Sequence, residues 1–82
     1  MKVDKEIRVQ NINNFYFALR EEVQKNNQII LDFSDTVIID ASAVQVIQAA
    51  EKKIKDLGKS IRFTGLSFDI ANLLQLAGIK LQ

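Results

Sequence analysis

Polar and apolar positions alternate over Lys5–Gln10, which puts Ile7 and Val9 on one face and predicts a half-buried strand. Asn11-Ile12-Asn13-Asn14 follows, and asparagines of this kind close turns and cap helices. From there to about Gln24 the spacing of Ile12, Phe15, Tyr16, Leu19 and Val23 gathers them on one face of a helix, with Phe17 off that face. Gln28–Phe33 reads as a strand whose Ile29-Ile30-Leu31 run fits a sheet covered on both sides. Ser34-Asp35-Thr36 is a turn, and Val37-Ile38-Ile39 is a second short extended run that ends at Asp40.

A long helix is predicted from about Ser42 to Leu57, with Ala43, Val46, Ile47, Ala50, Ile54 and Leu57 as its apolar stripe. Gly58 closes it, and Lys52, Lys53 and Lys55 sit where cations favour a helix C-terminus. Ser60–Leu66 alternates again as a strand. Ser67 then caps a helix carrying Ile70, Leu73, Leu74 and Ala77, which Gly78 ends. Ile79-Lys80-Leu81 is expected to begin a last short strand. Strands alternating with helices imply an α/β fold, a mostly parallel sheet with right-handed crossovers. No repeat, linker or low-complexity stretch divides the chain, so residues 1–82 are expected to form a single domain.

Composition narrows the chemistry. The chain has no Cys and no His, so thiolate zinc sites and disulfides are excluded, as is the commonest general base. Its three glycines, Gly58, Gly65 and Gly78, stand too far apart for a phosphate loop or a dinucleotide fingerprint. Eleven basic against ten acidic residues leave a net charge of +1, which gives no electrostatic basis for nucleic-acid binding. No apolar run approaches the ~20 residues of a membrane span. Met1–Glu6 lacks the apolar core of a signal peptide, so a cytoplasmic location without direct membrane insertion is expected. Asp32, Asp35 and Asp40 are of the type that serves turns and caps; the same residues can hold Mg²⁺, but the turn reading is preferred, and neither metal nor cofactor is assigned.

The informative segment is Val37–Ile47, where an apolar run ends in an acidic residue and a hydroxyl residue opens a long helix. Ser42 and Gln45 have the spacing of a capping box, which reads Ser42 as a purely structural cap. The same position admits a second use. A phosphate on Ser42 would add about −1.5 to −2 charge at a helix N-terminus, where free N–H groups and the dipole accept an anion. Asp40 would oppose it, and a partner docked there would be expelled. Val44 and Phe17 lie off their apolar stripes; both fit scattered surface hydrophobes, and Val44, near Ser42, also fits a docking patch.

Residues 28–79 resemble the STAS domain, the fold of bacterial anti-sigma factor antagonists. Gln28–Asp32 is similar to its central strand. Asp40-Ala41-Ser42-Ala43 is similar to its Asp-Ser-[Ser/Thr]-Gly motif, and Ile61–Ser67 with Leu73–Ile79 to its late strand and helix. The resemblance implies a small domain with about four strands, three helices and a shortened N-terminal edge strand. It implies a non-enzymatic interaction module in signal transduction by partner switching. Ser42 falls at the position of the phosphoacceptor. Asp40, Ala41, Ala43 and Val44 are then the partner-docking candidates. Ala41 stands for the motif's first Ser, and Ala43 puts a methyl group where the motif has Gly. The implied partner is an anti-sigma serine kinase or another signalling protein. The alternative is the ATPase of a bacterial phospholipid-transport ABC system, on which STAS subunits sit without phosphorylation. A shortened sheet also leaves an edge that a homodimer would cover.

Overall fold

The computed structural model describes residues 1–81. In chain order its elements are β1 (Glu6–Ile7), a 3₁₀ turn (Val9–Asn11), α1 (Ile12–Lys25), β2 (Gln28–Asp32), β3 (Ile38–Ile39), α2 (Ala41–Asp56), β4 (Ser60–Thr64) and α3 (Phe68–Leu76). β1 pairs parallel with β3, and β2 pairs parallel with β4 in register Ile29 to Ile61 and Leu31 to Phe63. The chain before β1 joins the two pairs. Lys2 bridges Asp32, the Val3 amide donates to the Asp32 carbonyl at 2.8 Å, and the Asp32 amide donates to Met1 at 2.9 Å. The strands thus form two parallel pairs, β1-β3 and β2-β4, tied by the isolated bridge at Lys2, and the N-terminal strand is short, two residues long.

One face of this sheet carries the core. Ile7, Ile29, Leu31 and Ile39 are buried from the strands. They meet Phe15, Leu19 and Val23 of α1, Ala43, Ile47 and Ile54 of α2, and Ile70 and Leu74 of α3. Burial alternates along β2, and Ile30, paired with exposed Arg62, is 39% exposed. The expectation of a sheet covered on both sides is thus corrected. A run of three apolar residues conceals the alternation that decides which of them is inside.

Two further expectations change. Val9 does not continue β1. It is 64% exposed and opens the 3₁₀ turn, because the Asn11 carboxamide oxygen accepts from the Arg8 amide at 2.7 Å and turns the chain. Ile79–Leu81 forms no strand. Ile79 is buried, and the segment is strapped to α2 by Gln48, which donates to the Ala77 carbonyl at 2.6 Å, and by Glu51, which accepts from the Lys80 amide at 3.2 Å. Ser67 caps α3 as expected, accepting from the Ile70 amide at 3.2 Å. No helix among the described residues is long and apolar enough to cross a membrane.

Candidate functional site

The segment from β3 into α2 brings Asp40 and Ser42 together at the top of the sheet. β3 ends at Ile39, and Asp40 is extended, with φ −106° and ψ −177°; from there the chain turns into α2. Asp40, not Ser42, is the N-cap. Its Oδ1 accepts from the Ser42 amide at 3.0 Å and the Ala43 amide at 3.3 Å. Ser42 thus sits one residue inside the helix, and no Ser42–Gln45 capping box forms. The sequence offered two good cap residues two positions apart. Tertiary structure selects between them, since Asp40 Oδ2 also accepts from the Val9 amide at 2.8 Å.

The Ser42 hydroxyl donates to the same Asp40 oxygen at 2.5 Å. One carboxylate therefore gathers four donors: two helix amides, one hydroxyl, and one amide from the 3₁₀ turn. These bonds hold the Asp40 carboxyl below the usual carboxylate range, with the Ser42 side chain as the largest cause and the Val9, Ala43 and Ser42 amides adding to it. A phosphate on Ser42 would not find the free amides expected from helix geometry alone. The Ser42 and Ala43 amides already bond to Asp40.

The remaining candidates are placed as follows. Ala41 is exposed on the first turn of α2, and Ser42 is half-buried. Ala43 is fully buried, its methyl turned into the core. Among the docking candidates it therefore lies beneath the surface of the free chain. Val44 is half-buried and packs against the core, so only part of it is available at the surface. Phe17 is exposed and rests edge-on against Tyr16, with ring centroids 5.4 Å apart.

The other acidic residues have separate tasks. Asp32 accepts from the Ser34 amide at 2.9 Å, a bond that lowers its pKa, and Asp35 pairs with Lys2 at 3.3 Å. No cluster of metal-ligating side chains occurs among the described residues.

Sequence periodicity missed the role of Val9, whose backbone ties the N-terminal segment to the start of α2. It also missed Phe68, which is 83% exposed, and Leu76, 79% exposed. Their signal was present, because α3 is apolar on nearly every side and cannot bury all of it against one core.

The family model of the STAS domain matches residues 1–81. No curated protein matches the chain.

Proposed function

The chain belongs to the STAS domain family, and on that premise we propose that it is a non-catalytic regulatory module that docks a protein partner on the first turn of α2. Membership itself carries the general statement, a regulatory or interaction domain. The finer reading is of the anti-sigma factor antagonist type, with a cytoplasmic serine kinase or another signalling protein as partner. Asp40, Ala41, Ser42 and the exposed part of Val44 form the docking surface, with Ala43 packed beneath.

One observation supports a switch at this place. The Ser42 hydroxyl and the Val9 amide share the Asp40 carboxylate. Phosphorylation replaces the hydroxyl hydrogen, so the bond to Asp40 is lost and two anions face each other. Asp40 then has to give up the helix amides, the Val9 amide, or both. A partner touching this turn would meet a different charge and a different backbone.

The tie between Ser42 and Asp40 also favours a second reading. Unmodified, Ser42 holds the N-cap residue in place, and an ABC-transporter ATPase could dock on that fixed surface without phosphorylation.

Pull-downs from the native cell with wild type, Ser42→Ala and Ser42→Asp separate the two. The switch predicts that a kinase-like ATPase is retained by wild type and Ser42→Ala and lost by Ser42→Asp. Recovery of one transporter ATPase by all three proteins supports the assembly role. Size-exclusion chromatography with light scattering tests whether a second copy covers the sheet edge instead.

A further inference from the structure

α1 and α2 cross the same face of a parallel sheet and run in the same direction. Between them lies a half-open groove of about 980 Å³. Its walls include Ile12, Tyr16 and Val23 on α1, Val46 and Ala49 on α2, and Leu57, which caps the end of α2. Ser42 lines one end, and Leu57 and Lys59 line the other. Along α2 that is about 22 Å, the length of roughly four helical turns.

The charge of this groove is one-sided. Arg20, Lys53 and Lys59 line it, and no acidic residue does, although the chain as a whole carries only +1. Lys59 is accounted for, because its ammonium donates to the Val23 carbonyl and closes the end of α1. Lys53 lies in the last turn of α2, where a cation favours the helix dipole. Arg20 has no such account. It sits inside α1, away from the last turn, and neither Arg20 nor Lys53 takes part in an ion pair among the described residues.

We propose that the α1–α2 groove is the seat of an amphipathic helix from a partner protein, with apolar residues facing the groove floor and acidic residues facing Arg20 and Lys53. The ridges of two neighbouring helices form a channel that accepts a third helix. Apolar anchors spaced three and four residues apart would enter it. A lipid tail fits the groove less well, since it is open along its length and carries Gln24, Gln45 and Ser42 among its apolar walls. The proposal rests on the reading of the chain as a protein-binding module, but not on phosphorylation of Ser42.

The test places a photo-reactive benzoylphenylalanine at Ala49, exposed in the groove, and separately at Ala41, exposed on the first turn of α2. Both full-length variants are checked for folding by circular dichroism and irradiated in the native cell, and adducts are sequenced by mass spectrometry. The expected result at position 49 is an adduct to a partner segment with helical apolar spacing and Asp or Glu on its borders. The Arg20→Glu/Lys53→Glu double variant should lower that yield by about tenfold or more, while Lys52→Glu, on the same helix but outside the groove, leaves it unchanged. A synthetic peptide of the captured segment should bind the purified chain and weaken as salt is raised.

An adduct to a second copy of this chain, to a lipid, or to a segment without acidic residues overturns the proposal. Adducts at position 41 with none at 49 overturn the groove and leave the α2 docking reading standing. Adducts at 49 with none at 41 uphold the groove and remove the docking surface from the first turn. Silence at both positions removes both.

Discussion

The Val9 amide donates to Asp40 Oδ2 at 2.8 Å across 31 positions of sequence. The other oxygen of that carboxylate caps α2 and holds the Ser42 hydroxyl. The start of α2 and the turn after β1 are therefore one mechanical unit. Ser42 and Val9 thus share one carboxylate, so a change of charge at Ser42 would act on the group that holds the Val9 amide.

The first expectation concerns acid. The Asp40 carboxyl lies below its ordinary value in the folded chain. Its contribution to stability is therefore fully present above the unfolded carboxylate pKa of about 3.9 and is lost as pH falls through the lower folded value. Asp40→Asn removes this titration while keeping an acceptor for the cap. In urea melts the variant should be less stable than wild type at pH 7 and should lose less of its stability between pH 5 and pH 2. Parallel pH profiles for the two proteins would show that Asp40 is not held by these bonds.

The second concerns the switch. Ser42→Ala removes one hydroxyl bond and leaves Asp40 on its two helix amides and on Val9, so the Val9 amide should stay protected from hydrogen exchange. Ser42→Asp puts a second carboxylate beside Asp40. Exchange at Val9 should then rise about tenfold or more, if the loss of the bond amounts to some 1.4 kcal/mol of local opening. Equal protection in both variants would separate Ser42 from Val9 and leave no structural route for the switch.

How far the sequence discloses this arrangement depends on the residue. The helical stripe through Phe15, Leu19 and Val23 was plain, because the polar residues between them mark the period. The inside of β2 was not, because Ile29, Ile30 and Leu31 are equally apolar, and only the placement of every helix on one side exposes Ile30. Val9 continued an alternating pattern, yet two side-chain acceptors, Asn11 and Asp40, draw the backbone out of the strand. Long-range pairing of that kind has no local signature. The position of Ser42 came from resemblance to a family motif, while its displacement from the cap by Asp40 came only from the fold.

Gly65 supplies a third expectation. It has φ +66°, and a Cβ built there would lie 2.6 Å from the Ser34 amide nitrogen, closer than any real contact. Gly78 shares the left-handed conformation, at φ +81°, but meets nothing within 4 Å. Alanine at either position pays about 1 kcal/mol or more for the backbone. Only Gly65→Ala must also push apart the turns after β2 and β4. Denaturant melts should therefore rank Gly65→Ala well below Gly78→Ala, and equal losses would show that the close approach to Ser34 relaxes freely.

The last expectation separates the two sides of α3. Leu74 is fully buried in the common core, and Leu76, two residues on, is almost wholly exposed. Leu74→Ala should cost about 2–5 kcal/mol, the transfer loss plus the cavity left among its neighbours. Leu76→Ala should change the unfolding free energy of the isolated chain by no more than about 0.5 kcal/mol, because it empties no packed site. Phe68→Ala should behave like Leu76→Ala for the same reason. The comparison has a use beyond stability. Because neither exposed residue supports the fold, any loss of partner binding caused by Leu76→Ala or Phe68→Ala, measured with the captured partner at fixed salt, would assign α3 to the interface. If all three variants destabilise alike, α3 is packed on both sides and its outer face is not a free surface.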